Sequence, residues 1–195
     1  MRVFLVALSF AVFASFAWAD AYDDGMDAAS GGDWEGAVKQ FTQAIKVAPN
    51  NANAYYNRGR SQAELGDYSE AIADYTQAIK LDPKDAMIYY DRGLSYYNLD
   101  DHKKAIEDYT RAIKIEPKFA MAYFGRGNSY LNLDDYKKAI ADFTQTIEID
   151  PKFAWSYDGR GNAYIKLGDL VKAEKDARKA CDLGSCDLLW LMERK

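Results

Sequence analysis

The chain has 195 residues, of which 49% are apolar and 14% aromatic, and this composition excludes a disordered chain. Its 30 acidic and 25 basic residues are interspersed without a lysine or arginine block, so we expect neither nucleic acid nor an anionic membrane surface as a partner. With one histidine and two cysteines, a zinc site or a histidine-dependent triad has almost no support in the sequence. We therefore predict no metal, no cofactor and no enzymatic activity.

The segment 1–19 differs from the rest of the chain. Arg2 is followed by an apolar run over residues 3–16 and by a small-x-small exit that ends at Ala19. This pattern is typical of a secretory signal peptide, and the run is short for a spanning helix, which needs about 20 apolar residues. We predict a signal peptide at 1–19, cleavage after Ala19, a periplasmic or secreted location and no membrane insertion afterwards. An uncleaved anchor is the alternative.

After residue 19, the sequence repeats one pattern at a fixed period, the interval from Gly25 to Gly59. In each period, apolar residues at helical spacing predict two helices separated by a tight turn, and a proline ends the second helix of the first four periods. A fixed period of this length predicts a stacked array. The recurring residues are Gly25, Gly59, Gly93, Gly127 and Gly161, then Ala37, Ala71, Ala105, Ala139 and Ala173, then Pro49, Pro83, Pro117 and Pro151.

The repeated glycines lie within the predicted first helices. A glycine inside a helix costs about 1 kcal/mol relative to alanine, so its recurrence requires a structural reason. We expect each glycine to face the alanine of the second helix, where no larger side chain would fit.

These positions resemble the tetratricopeptide repeat family. Repeats two to four carry its pattern most fully, as in Tyr55, Gly59, Ala71, Tyr75, Ala78 and Pro83. Repeat five departs at Ala177, where the other repeats have Phe or Tyr. The resemblance implies an all-α fold, a right-handed α-solenoid of about five helix-turn-helix units with a short C-terminal capping helix. The implied repeats are about 20–51, 52–85, 86–119, 120–153 and 154–184, with the cap at 185–195.

An arginine precedes the glycine of repeats two to five, and an aspartate follows each arginine at the same interval, as Asp74 follows Arg58. Repeat one has Asp24 and Gln40 at these positions, so the two partners are present together or absent together. We predict structural ion pairs between the two helices of one repeat, with an arginine row for acidic ligands as the alternative. The pairs are Arg58 with Asp74, Arg92 with Asp108, Arg126 with Asp142, and Arg160 with Asp176.

The C-terminal segment carries two further features. Cys181 stands where the other repeats have isoleucine, which favours a core thiol. The alternative is a disulfide with Cys186. A redox-active pair fits the spacing less well. The tail at 188–192 is strongly apolar, and it could cap the array by filling the space that Ala177 leaves. The alternative is an exposed patch for a partner or for a homo-oligomer through the array ends.

The family geometry also implies a concave face lined by the first helices. First-helix positions that the packing pattern does not use form a predicted binding strip, rich in aromatic, methionine and amide side chains suited to peptide recognition. The strip comprises Tyr56, Asn57, Arg60, Met87, Tyr90, Asp91, Tyr97, Met121, Phe124, Asn128, Asn132, Trp155, Asp158 and Asn162. Alternatively, some of these rings only pack against the next repeat.

The resulting functional hypothesis is a non-enzymatic protein–protein interaction scaffold of the cell envelope. It would bind a peptide or protein segment in the concave groove. The alternative is a periplasmic chaperone-like or assembly factor for envelope components, which would bind unfolded chains loosely.

Overall fold

The computed structural model describes residues 18–193. In this part of the chain all regular structure is α-helical, which confirms the predicted all-α solenoid of helix-turn-helix repeats with a short C-terminal helix. The helices are α1 (18–30), α2 (Trp34–Val47), α3 (Ala52–Glu64), α4 (Tyr68–Leu81), α5 (Ala86–Asn98), α6 (His102–Ile115), α7 (Ala120–Asn132), α8 (Tyr136–Ile149), α9 (Ala154–Lys166), α10 (Leu170–Asp182) and α11 (Asp187–Glu193). Odd-numbered helices up to α9 are the first helices of the repeats, and even-numbered helices are the second helices.

The chain divides into two compact units, the first ending at Ser95 and the second beginning at Tyr96. The predicted signal peptide lies outside the described residues except for Trp18 and Ala19, which belong to α1. The Trp18 ring stacks on Tyr22 at a centroid distance of 5.3 Å. Across residues 18–193, no helix has both the length and the apolarity required to cross a bilayer.

The turn inside each repeat has a repeated local cause. A residue in the left-handed backbone region ends the first helix, such as Gly66 with φ 85° or Asp100 with φ 58°. Aspartate tolerates this region better than most non-glycine residues. An aspartate then caps the start of each of the five second helices, and in all but α4 its side chain accepts a backbone hydrogen bond. Asp101, for example, accepts from the Lys104 N–H.

One aromatic ring of the second helix occupies the centre of a repeat. Tyr75 and Phe143 are fully buried, and a Cβ atom built on Gly59 or Gly127 would lie about 3 Å from the respective ring. The expectation that each glycine faces the alanine of the second helix is therefore incomplete. The Ala71 carbonyl oxygen does lie 3.2 Å from the Cβ position on Gly59, but the ring makes the closer contact. The ring begins four residues after the alanine, on the same face of the helix, and it reaches across to the glycine.

The last repeat is completed by the C-terminal segment. Ala177 stands where the other repeats have the ring, and a Cβ atom on Gly161 would instead lie 2.6 Å from Leu188 of α11. Leu188 is buried, so α11 fills the space next to Ala177 as the sequence predicts. Cys181 and Cys186 form a disulfide bond, which ties the start of α11 to the end of α10.

Candidate functional site

The arginines before the repeated glycines form ion pairs within their repeats. Arg58 donates from Nε and Nη2 to the two carboxylate oxygens of Asp74, both at 2.7 Å. Its Nη1 donates to Thr42 Oγ1 of the preceding repeat at 3.1 Å, and the guanidinium lies 5.7 Å from the Tyr55 ring centroid. Hydrogen bonding to Asp74 raises the pKa of Arg58. Each nitrogen of this guanidinium thus donates a hydrogen bond within the protein.

The same arrangement recurs in the second unit. Arg126 and Arg160 each make two hydrogen bonds of 2.8–2.9 Å to their aspartates, and each donates to a threonine of the preceding repeat. These bidentate bonds leave little of the guanidinium for an acidic ligand, so the arginine-row alternative does not fit these residues. Arg92 donates to Thr76 Oγ1 at 2.9 Å, and its pairing with Asp108 stays a prediction.

The threonine partners are packing residues that the sequence reasoning missed. Thr42 precedes Arg58 by the same interval that separates Arg58 from Asp74, and the other threonines are placed in the same way. Thr42 also donates to the Val38 carbonyl at 2.7 Å, so its hydroxyl oxygen is free to accept from Arg58. The equal interval on both sides of each arginine was therefore a usable signal.

Part of the predicted binding strip joins neighbouring first helices. The Tyr56 hydroxyl donates to Asp91 at 2.8 Å, and Asn57 Nδ2 donates to the Tyr22 hydroxyl at 2.8 Å. In the second unit, Asn132 Nδ2 donates to the Tyr97 hydroxyl at 3.1 Å. Each bond joins residues 35 positions apart, one on each of two successive first helices. These side chains therefore help to position the strip.

Two carboxylates of the strip are partly shielded from water. Burial raises the pKa of Asp91, while the Tyr56 hydrogen bond and the nearby Arg60 act in the opposite direction. Burial also raises the pKa of Asp158, which accepts a hydrogen bond from Ser185. The Arg60 guanidinium lies 5.8 Å from the Tyr56 ring centroid, within cation–π range.

Other strip residues are packed against the core. The Phe124 ring lies 5.8 Å from Phe143 and meets Phe153 edge-on at 4.9 Å between centroids. Tyr90 is half-buried, and burial raises the pKa of its hydroxyl. Asn128 is half-buried as well. For Phe124, the alternative that strip rings pack within the array fits the structure.

A third group of strip residues is exposed. Met87, Met121 and Trp155 expose 44%, 40% and 62% of their surfaces. They occupy the second position of α5, α7 and α9, so one position of successive first helices carries a large apolar side chain at the surface. Arg60 and Asn162 are also exposed. The strip thus divides into a hydrogen-bonded framework, packed rings and an exposed apolar set.

A cleft of about 210 Å³ lies in the first unit beside the strip. Its lining includes Asn57 and Arg60, which belong to the predicted strip, and Met26, Trp34 and Glu64, which do not. Sequence reasoning assigned no ligand-facing role to α1, because its pattern is the most degraded. Ala29 of the cleft is small where repeats three and four have Tyr97 and Leu131, but repeat two also has an alanine, Ala63, so the sequence held only a weak signal.

The chemistry of the described residues is that of a binding surface. Within residues 18–193, no group of three or more His, Cys, Asp or Glu side chains is placed to hold a metal ion. His102 packs against Tyr97, with ring centroids 5.1 Å apart, and its side chain is mostly buried. The ionisable strip residues contact tyrosine, arginine and serine partners. What the surface offers is apolar area with polar groups beside it.

Comparison with known proteins supports the assignment of the repeats. Family models described as TPR repeat or tetratricopeptide repeat match residues 28–66, 59–100, 86–119, 120–153 and 156–183. Among curated proteins, no match is found.

Solved structures with the same fold are numerous. A crystal structure of MamA protein is 29% identical, with a TM-score of 0.81 over 86% of this chain and 91% of that one. MamA 41-end from Desulfovibrio magneticus RS-1 is 21% identical, with a TM-score of 0.82 over 86% and 94%. YrrB, described as a TPR protein with an unusual peptide-binding site, is 22% identical, with a TM-score of 0.77 over 89% and 90%. The chain therefore belongs to the tetratricopeptide repeat family, whose members serve as scaffolds for protein interaction.

Proposed function

We propose that this protein is a non-enzymatic scaffold that binds a peptide or protein segment along the strip of its first helices. The observation that carries the proposal is the exposed apolar pair Met121 and Trp155, which share one position of two successive first helices in the second unit. Exposed apolar side chains that recur on one face are typical of interaction surfaces, and tryptophan and methionine are enriched there.

The hydrogen-bonded side chains of the strip also favour binding. The bonds from Tyr56 to Asp91 and from Asn132 to Tyr97 hold strip side chains in place before any ligand arrives. A surface ordered in advance loses less conformational entropy when it binds. The exposed amide of Asn162 could hydrogen-bond to the backbone of an extended segment, while Trp155 would supply apolar contact area.

The cell envelope is the proposed site of action. The support is the sequence pattern of residues 1–19, and it predicts that the exported protein begins at Asp20. N-terminal sequencing of the protein recovered from the envelope fraction tests this part separately. A chain that begins at Met1 would favour the uncleaved anchor.

A chaperone-like role is the second candidate function, and the two exposed methionines favour it. Methionine is flexible and polarisable, so Met87 and Met121 could adapt to many apolar sequences. A scaffold with one partner and a chaperone with many clients would use the same strip. They differ in how many proteins bind and in stoichiometry.

Affinity capture from the envelope fraction tests the proposal. The bait is the tagged full-length chain, compared with a Met121→Ser, Trp155→Ser variant that removes apolar contacts from the strip. Leu133→Ser is the matched control, because Leu133 is about as exposed as Met121 but lies in the turn between α7 and α8. We expect a stoichiometric partner with the wild type and the control, and its loss with the strip variant.

The same experiment separates the alternatives. Many substoichiometric proteins, all reduced by the strip variant, would support the chaperone-like role. Equal capture by the strip variant and the wild type would contradict both functions, since both rely on this surface.

A further inference from the structure

The C-terminal end of the second unit exposes several large apolar side chains that do not belong to the strip. A cleft of about 370 Å³ is lined by the end of α9, the start of α10 and α11. Its apolar lining comes from Ile165, Leu170, Leu191 and Met192. Val171 follows Leu170 and is 82% exposed, the largest exposure among the large apolar residues of the described chain.

This apolarity is specific to the last repeat. The position of Val171 is held by polar or charged residues in the other four repeats, namely Glu35, Ser69, Lys103 and Lys137. Leu170 replaces an aromatic or imidazole ring that is half-buried elsewhere, as at Tyr136, and it is 58% exposed. The pattern of the array therefore does not require an apolar side chain at position 171.

Helix α11 extends the same surface. Leu188 points inward onto Gly161, whereas Trp190 and Leu191 remain 61% and 55% exposed. A helix that only sealed the end of a repeat array would carry a polar outer face, because terminal repeats need one for solubility. The outer face of α11 instead carries the largest apolar side chain available, which indicates that another surface covers it.

The N-terminal end of the array has the opposite character. Helix α1 carries four exposed aspartates at spacings of three and four residues, Asp20, Asp23, Asp24 and Asp27. In α3 the corresponding residues face the preceding repeat: Ala54 packs against Ala44 and Ile45, and Arg58 reaches Thr42. The outward stacking face of α1 is therefore acidic.

The contrast decides which self-association is possible. Placing the four aspartates of α1 on this surface would remove water from several carboxylates, and Lys166 is the one cation among the residues that line the cleft. Head-to-tail stacking of copies is therefore disfavoured. Two C-terminal ends, in contrast, offer each other apolar area. Each also carries an exposed base, Lys166, and an exposed acid, Glu193 of α11, so opposite charges can pair across a two-fold axis.

We propose that a second copy of this chain covers the C-terminal surface formed by Leu170, Val171, Trp190 and Leu191. The two copies meet tail to tail in an isologous contact, in which the same patch is used twice and association stops at the dimer. None of these four residues belongs to the strip, although the cleft also borders the strip residue Asn162. The variants below leave the strip unchanged, so the dimer can fail while the ligand-binding function stands.

Sedimentation equilibrium of the full-length protein over a concentration series tests the proposal. Val171→Lys places at position 171 the residue that repeats three and four already have. Because both copies bring the new charge to the contact, we expect the dimer dissociation constant to rise by at least about tenfold. Ser69→Lys is the matched control, since it introduces the same charge at the same position of repeat two, and we expect no effect.

A second variant keeps the test decisive if Val171→Lys alters the fold. Trp190→Ser changes an exposed residue of α11, and circular dichroism with the thermal midpoint shows whether each variant keeps its helices. We expect Trp190→Ser to weaken the dimer as well.

Three results would overturn the proposal. They are a monomer at all concentrations, a dimer that survives both Val171→Lys and Trp190→Ser, and a dimer that the pair Asp23→Asn and Asp27→Asn weakens. The last result would mean that the acidic end of α1 forms the contact.

Discussion

Repeats four and five fill the same internal space in two different ways. In repeat four, the Phe143 ring lies between Gly127 of its own repeat and Gly159 of the next. A Cβ atom built on either glycine would lie within about 3 Å of the ring. In repeat five, Ala177 leaves that space empty and Leu188 of α11 enters it. The ring is built into the helix, whereas the leucine comes from a segment outside the repeat.

The difference shows what makes a repeat complete. A ring on the second helix serves two neighbours at once, so an internal repeat depends on the next one for the second wall of its core. A last repeat has no such neighbour, and a side chain from the tail closes it at one wall only. The disulfide between Cys181 and Cys186 supports this closure, because it limits how far α11 can move from α10.

The largest expected effect is the loss of the internal ring. Phe143→Ala should lower the free energy of unfolding by about 3–5 kcal/mol, because it leaves a cavity between two glycine-containing helices. Leu188→Ala should cost less, about 2 kcal/mol, since Leu188 closes one wall and the terminal segment can adjust. Urea unfolding followed by circular dichroism measures both, with exposed Leu133→Ala as the control. Equal costs at the two sites would refute the distinction between internal and terminal closure.

The ion pairs are expected to be the next largest contribution, and they are alike in both repeats. Arg126→Met should cost roughly 2–4 kcal/mol, because it leaves the mostly buried Asp142 without its bidentate partner. Asp142→Asn in the same protein should recover part of this loss, and a double-mutant cycle gives the coupling energy. Coupling near zero would show that the pair is not a unit despite its geometry.

Arg160→Met extends this prediction to the end of the array. The two bonds from Arg160 to Asp176 measure 2.8 and 2.9 Å, and the two from Arg126 to Asp142 both measure 2.8 Å. If the last repeat frays independently, the same substitution should change global unfolding less at Arg160 than at Arg126 and change hydrogen exchange in α10 more. Identical effects on global unfolding would indicate that the array unfolds as one cooperative block.

The fold could be predicted from the sequence because the fixed period and the recurring glycine, alanine and proline all indicate the same pair of helices in each repeat. The close approach at Gly59 was predicted, but its partner was assigned to the alanine rather than to Tyr75. The Ala71 carbonyl oxygen lies 3.2 Å from the Cβ position on Gly59, but the ring four residues after the alanine makes the closest contact. Position in a repeat shows which face a residue lies on, but not how far its side chain reaches.

The binding strip could be predicted only in part, for a similar reason. Unused helix positions were assigned to a ligand, yet Tyr56 and Asn57 bond to the neighbouring first helices. Tyrosine is long enough to cross between helices, and the partners stand 35 residues apart, one residue off the repeat period. Met121 and Trp155 carry no hydroxyl that could bond to a neighbouring first helix, and they remain exposed as predicted.

Exchanging the two modes of closure tests the comparison directly. Ala177→Phe restores the ring of the other repeats but meets Leu188 in the same space, so it should destabilise the last repeat by about 1–3 kcal/mol. Adding Leu188→Ala should remove most of this cost, although each change alone is unfavourable. Thermal unfolding of the two single variants and the double variant gives the coupling. Additive effects would mean that the ring and the leucine do not share one space.

The smallest expected effect concerns the two shielded carboxylates, Asp91 in the first unit and Asp158 beside the C-terminal segment. Burial raises the pKa of each above that of an unfolded aspartate, so the folded state binds the proton more tightly than the unfolded state does. Stability from these groups is therefore greatest below the unfolded pKa of about 3.9 and falls as the pH rises through the folded value.

Asp91→Asn should remove this fall while keeping an oxygen that accepts from Tyr56. The variant should match the wild type in acid and exceed it at neutral pH by roughly 1 kcal/mol or less, because partial exposure to water screens the charge. Asp158→Asn should act in the same direction, because burial disfavours the ionised carboxylate there too, and the amide oxygen can still accept from Ser185. Thermal midpoints measured against pH check both. A variant that is less stable than the wild type at neutral pH would show that the ionised carboxylate is the favoured form and that its bonds to Tyr56 or Ser185 outweigh its burial.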